Sequence, residues 1–357
     1  MISILGKYIT RQFLAHVLVV LTALSAVMLL ADLLANGDEI IESSQDVAAA
    51  LSRYGALRLP ATLSQVLPMS VLLASLTLLV GLARHSELTA VFGAGLSHFR
   101  LIMMLMPGAL AIAAAQFLIE DQVVPAVSAH LRDWGIGDYK NSGTGDPRGL
   151  TWIRQDANVV RIGGTDAARD EIFEVTIFRR DAEGRLMERV EAREASYRDG
   201  SWILRDVVRT DPETGARVTQ EDMVWPHAIE TAVLHSLSLH PRELSWAEVW
   251  RLAAKSGYGN QPVYLYNVWL QKKVARPLAT VLLVLLAVAS VQRMHPRRSA
   301  RLMLVAGVGI GFVYWVFDEF VVTMGEAGLL PSFLAAWTAP ISLGAAAMAV
   351  ILRYDGH

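Results

Sequence analysis

Two neighbouring carboxylate pairs, Glu120–Asp121 and Asp318–Glu319, are the residues here best suited to acid–base chemistry or a proton path. Both lie towards the expected outer ends of long apolar stretches. The simpler account of each is contact with interfacial water or a basic partner. His16, inside the first apolar stretch, suits a proton relay equally well on paper, but a neutral histidine bonded to a neighbouring helix explains it with less. The chain has no G-x-x-x-x-G-K-[ST] phosphate loop, no H-E-x-x-H and no G-x-S-x-G. With no cysteine there is no thiolate ligand or thiol nucleophile. These residues define no catalytic site and no metal site.

Two other features carry mechanism. In the loop 84–97, Ser86 is placed to cap a short helix beginning at Glu87 and ending at Gly93–Gly95. That helix presents Leu88, Val91 and Phe92 on one face. Such a helix either rests on lipid headgroups or docks in a groove on a cytoplasmic partner with Glu87 as its charged anchor, and periodicity alone favours neither. The second feature is Gly307-Val-Gly-Ile-Gly311, a small-xxx-small pattern that lets membrane helices approach closely. Phe312, Tyr314, Trp315 and Phe317 follow it. Close packing explains the glycines; a helix that packs closely and slides would also suit a gate.

The elements that hold these residues are membrane helices. Of 357 residues, 53% are hydrophobic and only 18% charged, with mean hydropathy +0.37. A soluble chain carries nearer a quarter charged residues. A bilayer core of about 30 Å needs about 20 mainly apolar helical residues, and six segments qualify: 13–34, 57–83, 101–124, 274–291, 302–322 and 333–352. The first is too long for the apolar region of a signal peptide and reads as an uncleaved anchor. Lys7, Arg11, Arg84, Arg100, Arg293, Arg297, Arg298, Arg301 and Arg353 gather on one side of these spans. Lysine and arginine mark the cytoplasmic face, so both termini are expected there and the central domain outside. A net charge of −2 gives no reason to expect nucleic acid as a partner.

Between the two groups of three spans the pattern changes to short alternating runs, at 150–154, 158–162, 171–179, 185–197, 202–210, 217–224 and 229–239. Turn residues separate them, including Gly163-Gly164, Glu183-Gly184, Asp199-Gly200 and Asp211-Pro212. The spacing predicts an antiparallel sandwich or open barrel. A short helix is expected over 245–255. The expected organisation is spans one to three over 1–124, an extracytoplasmic all-β, jellyroll-like domain with flanking helices over 125–265, and spans four to six over 266–357.

Three motifs sharpen this layout. They are Ser86-Glu87-Leu88 leading to Gly93-Ala94-Gly95-Leu96-Ser97, the run Gly311-Phe-Val-Tyr-Trp-Val-Phe-Asp-Glu319, and Tyr266-Asn-Val-Trp-Leu-Gln-Lys-Lys273 with Pro277. With the 3+3 arrangement, these resemble the LptF/LptG family, permease subunits of the bacterial lipopolysaccharide exporter, over essentially the whole chain. The span-five motif and the ending from Leu330-Pro331 look more like the LptG branch.

The resemblance implies an inner-membrane permease without catalytic activity of its own. It would form a heterodimer with an LptF-like permease over an LptB-like ATPase dimer that supplies ATP and Mg²⁺ chemistry. An LptC-like protein would stand alongside, leading to an LptA-like periplasmic bridge. It implies that Ser86, Glu87, Leu88, Val91, Phe92 and Gly95 belong to a coupling helix facing the ATPase. Spans one and five would form lateral gates, with Gly307, Gly311, Phe312, Trp315 and Phe317 as packing and gating residues. Lipid A carries phosphates, and here the outer end of span one is acidic at Asp32, Asp38 and Glu39. The basic candidates for lipopolysaccharide are therefore Arg132, which matches a basic position in the LptG branch, with Arg58, Lys272, Lys273 and Arg276; arginine's fork suits phosphate oxygens. A lipoprotein or macrolide exporter usually places its outer domain after the first span rather than the third. A mere anchor for a β domain needs one span, not six.

Overall fold

The computed structural model describes residues 4–42, 45–87, 90, 93, 98–136, 151–155, 158–166, 171–181, 183–198, 201–225, 240–254, 262–291 and 300–355. Two compact units emerge: a membrane unit of residues 1–127 and 268–357, and a second unit of residues 128–267.

Among the described residues, six helices are long and apolar enough to cross a membrane: Ile4–Ala35, Val47–Arg84, Phe99–Leu131, Val263–Ser290, Val305–Glu326 and Ser332–Arg353. We refer to them as spans one to six. Spans two and four begin ten and eleven residues before the expected stretches at 57 and 274. The physical reason is that hydropathy marks the lipid-facing part, whereas a cap marks the helix end. Asp46 supplies that cap for span two, its Oδ1 accepting the Ala49 N–H at 3.1 Å. Span three is not a plain α-helix. Its α-helical segment His98–Leu118 passes through one π turn, Ile119–Val123, and resumes as Val124–Trp134.

Burial differs widely among the spans. In the most apolar stretch of spans two and four, 67% and 61% of residues are buried, against 11% in span one and 28% in span five. Phe13, Val71, Leu72, Leu76, Leu79, Leu105, Val284, Ala287 and Leu343 meet in the core of the unit. Two glycines of span five explain its tight contact with span two. A Cβ on Gly307 would collide with Leu76, and one on Gly311 would come within 2.5 Å of Leu72 and 2.9 Å of Met69. Both face span two, while Gly309 faces open space. Close packing is therefore what these glycines serve inside this chain.

The second unit holds seven strands: β1 Thr151–Gln155, β2 Asn158–Ile162, β3 Gly164–Asp166, β4 Glu171–Arg180, β5 Leu186–Arg198, β6 Ser201–Thr210 and β7 Arg217–Trp225. They form one antiparallel sheet in the order β1-β2-β4-β5-β6-β7, with β3 pairing beside β4. This is the open form of the two arrangements expected, and β3 was hidden in sequence by its glycines. The expected run 229–239 lies outside the described residues. The helix Trp246–Ala254 follows, opened by a reciprocal box in which the Ser245 N–H meets Glu248 Oε2 at 2.8 Å and Ser245 Oγ accepts from the Glu248 N–H at 3.3 Å.

The sheet bends along one line. Glu174 and Asp206 take left-handed backbone, with φ of 50° and 53°. Pairing places Arg193 of β5 between them, level with both. Buried residues flanking that line are three apart instead of two: Ile172 and Val175, Ala192 and Ala195, Leu204 and Val207. The sidestep keeps one apolar face continuous across three strands, although strict alternation would turn it over. Gly163 accommodates the bend, since a Cβ there would lie 2.7 Å from the Glu174 Cβ. A non-glycine left-handed residue costs about 1–3 kcal/mol. Glu174→Gly is therefore expected to melt at or above the wild type. Glu174→Val, with a branched side chain at the same φ, should lose about 1–2 kcal/mol. Unfolding of the purified chain, followed by the fluorescence of buried Trp202, reads both.

Candidate functional site

The buried charged residues of the membrane unit converge on the N-terminal half of span four. Lys272, Lys273 and Glu120 are 2%, 3% and 7% exposed, and Asp318 is 9% exposed. Burying an unpaired charge in such a place is prohibitive, and the structure shows how each is met. Arg276 Nη1 donates to Glu120 Oε1 at 3.1 Å. Ser64 of span two donates to the same oxygen at 2.6 Å, and Lys273 Nζ donates to the Glu120 carbonyl at 3.2 Å. One turn along, Gln116 donates to the Ser64 carbonyl at 3.3 Å and accepts from Thr280 Oγ1 at 2.7 Å. Lys272 pairs with Asp318 of span five.

The network has an apolar and aromatic frame. The Arg276 guanidinium lies 5.6 Å from the centre of the Trp269 ring, and the Trp269 indole N–H donates to Glu326 at 2.6 Å. Gln271 accepts from the Trp337 indole at 3.1 Å, which ties span four to span six. Glu120 and its carbonyl sit in the π turn of span three. A π turn redirects the side chains of a helix and loosens its carbonyl ladder, which here leaves the Glu120 carbonyl to Lys273.

A cavity of about 50 Å³ adjoins the network, lined among others by Gln65, Met69, Arg276, Gly311, Tyr314 and Glu319. It has room for water but not for an acyl chain.

A second cluster joins spans one and two. Asp32 Oδ2 accepts from Arg58 Nε at 3.1 Å and from the Tyr54 hydroxyl at 3.0 Å, while Asn36 donates to the Asp32 carbonyl at 3.0 Å. The acidic residue that made span one unlike a phosphate-binding edge is thus the intramolecular partner of Arg58.

Of the basic residues proposed for lipopolysaccharide, Arg58, Lys272 and Arg276 each hold a carboxylate of this chain, and Lys273 holds a carbonyl. Lys272, Lys273 and Arg276 do not open span four, as the hydropathy boundary suggested; they lie nine or more residues inside the helix Val263–Val291. Arg132 is in the helix Val124–Trp134, with its side chain outside the described residues. Glu120 and Asp318 meet basic partners, the simpler of the two readings of the carboxylate pairs. His16 Nδ1 lies 2.8 Å from the Gln12 carbonyl of its own helix rather than against a neighbour.

In the loop after span two, Ser86 takes φ 63°, its carbonyl accepts the Ala90 N–H at 2.9 Å, and Glu87 is exposed and helical. Leu88, Val91, Phe92 and Gly95 lie outside the described residues. Phe312, Trp315 and Phe317 are 55%, 46% and 40% exposed, so the aromatic face of span five is turned away from the core. Reading the sequence missed Tyr54, Ser64, Gln116 and Thr280, and gave Trp269 no role beyond its place in the motif 266–273. The only signal for them was the balance of Glu120, Asp318 and Glu319 against three cations on one span.

Comparison with known proteins covers most of the chain. A family model described as lipopolysaccharide export system permease LptF/LptG matches residues 7–353. The lipopolysaccharide export system permease protein LptG of Haemophilus influenzae is 22% identical over 325 residues, covering 89% of this chain and 90% of its own length. LptG of Escherichia coli K12 is 24% identical over 330 residues, covering 89% of each chain.

Proposed function

Because the chain belongs to the LptF/LptG family of lipopolysaccharide export permeases, we propose that it is the LptG-type permease subunit of an exporter that lifts lipopolysaccharide out of the inner membrane. The match across residues 7–353 carries this reading, since it includes all six spans and the sheet domain. The relatives named LptG favour that branch. Both termini are cytoplasmic and the sheet domain periplasmic; the lysine and arginine asymmetry supports that orientation.

In this reading the chain contributes no hydrolysis, and ATP and Mg²⁺ belong to a cytoplasmic LptB-like ATPase dimer. The loop at 84–97 receives the motor's movement through Glu87. An LptF-like permease completes the cavity, and LptC-like and LptA-like proteins carry the lipid onward. Spans one and five bound the cavity's lateral openings. Their low burial and the outward Phe312, Trp315 and Phe317 support that role, because such faces need lipid or another helix against them. Among the basic candidates, Arg132 serves lipid A phosphates best. Arg58, Lys272 and Arg276 would first have to release a carboxylate.

Glu87→Lys tests the proposal. Reversing a charge at a docking contact is expected to weaken ATPase association about tenfold or more, equivalent to about 1.4 kcal/mol or more. The amount of inserted permease should stay unchanged. Co-purification of the ATPase and lipopolysaccharide release from inner-membrane vesicles measure the two effects. Undiminished association and export would refute the coupling role of this loop.

A further inference from the structure

Spans one and three form a second recess at the end of the membrane unit remote from the Asp32–Arg58 cluster. Its volume is about 270 Å³, and it is lined by Lys7, Thr10, Arg11, Leu14 and Pro107. That volume is close to the lower end of small-ligand sites, about 300 Å³. Lys7 and Arg11 are one helical turn apart, so both project over the same patch. Among the cations weighed above for lipopolysaccharide, those with a described side chain have an acceptor: Arg58, Lys272 and Arg276 have carboxylates and Lys273 a carbonyl. Lys7 and Arg11 are exposed and enter no ion pair among the described residues. Two like charges at this spacing repel one another by a few tenths of a kcal/mol unless an anion lies between them.

The walls define what that anion is. The Thr10 hydroxyl, the polar group between the two cations, is already committed to the Met104 carbonyl at 2.6 Å. This bond pins span one to span three. Leu14, 40% exposed, and Pro107, which has no N–H to offer, make the rest of the lining apolar. Lys7 and Arg11 near the start of span one, with Leu14 and Pro107 further along, set a charged rim beside an apolar wall, and that matches a phosphodiester with acyl chains below it. Basic recesses between membrane helices on the cytoplasmic side bind anionic headgroups in this way, and arginine's fork adds a two-point contact to phosphate oxygens.

We propose that Lys7 and Arg11, with Leu14 and Pro107, form a binding site for one anionic phospholipid of the leaflet at this end of spans one and three. The site is separate from the lipopolysaccharide path, and its occupant is a resident lipid rather than cargo. The purified full-length chain in neutral detergent micelles, titrated with phosphatidylglycerol or phosphatidylcholine and read by native mass spectrometry, tests it. One phosphatidylglycerol per chain is expected to be retained saturably, and phosphatidylcholine to be retained at least tenfold less well. Lys7→Gln with Arg11→Gln should abolish the preference, while Arg353→Gln, at an exposed arginine of the same expected face, should leave it intact. Equal retention of the two lipids by the wild type overturns the site. So does undiminished retention by the double variant.

Discussion

Arg276→Met is expected to destabilise the membrane unit by about 3–5 kcal/mol, the usual cost of removing one member of a buried ion pair. The loss comes from what remains rather than from what is removed. Glu120 would keep the Ser64 hydroxyl on one carboxylate oxygen, but its charge would be left in a setting 7% exposed with no guanidinium beside it. Arg276→Lys should recover little, because an ammonium cannot reproduce the guanidinium's reach to Glu120 together with its place near the Trp269 ring. The informative variant is the double one. Arg276→Met with Glu120→Gln removes both charges and leaves Ser64 an amide oxygen to donate to. It is expected to regain at least half of the loss, with a coupling energy of about 1–3 kcal/mol in the cycle. Thermal melting of the four purified proteins in one detergent measures it. If the double variant is as unstable as Arg276→Met alone, Arg276 acts by packing and not by neutralising Glu120.

How much of this site was legible beforehand divides cleanly by physical cause. Six apolar runs and the change to alternation in the middle were readable because water and lipid select them strongly, residue by residue. The same hydropathy misplaced Lys272 and Arg276, since a helix continues through polar residues when partners on other helices satisfy them. Span four begins at Val263, and its cations point at Glu120 and Asp318, which are 156 and 46 residues away from Arg276 and Lys272 in sequence. No local pattern encodes a pairing of that range. The π turn at Ile119–Val123 was equally silent, being a geometry with no residue signature of its own. The bend in the sheet was half-legible. Phe173-Glu174, Arg193-Glu194 and Arg205-Asp206 each interrupt the alternation, but only the register puts the three interruptions at one level. The glycines of span five form a recognisable packing motif, but the neighbours they admit, Leu72 and Leu76 of span two, are set by the tertiary fold and by no local pattern.

Asp318→Leu is expected to have the second large effect, again about 3–5 kcal/mol, and to act on a different joint. Lys272 is 2% exposed and Asp318 is the carboxylate it donates to, so the substitution leaves an ammonium buried in the membrane unit next to Arg276. Glu319, one residue along, is the natural control. It is partly exposed and lines the small cavity without holding Lys272, so Glu319→Gln should cost under about 1 kcal/mol. Lys272→Met paired with Asp318→Leu replaces the ion pair with apolar groups. Because membrane burial penalises charge and not hydrocarbon, that double variant should match or exceed the wild type in melting temperature. The comparison then separates stability from work. Lys272 and Asp318 join span four, among the most buried, to span five, which turns its aromatic face outward. If the ion pair merely braces the resting unit, the apolar double variant exports lipopolysaccharide normally. If span five must part from span four during transport, a pair that re-solvates when it opens is replaced by one that resists opening. Export should then fall at least severalfold while stability holds. Vesicle release assays run beside melting curves distinguish the brace from the latch, and the outward aromatic face of span five favours the latch.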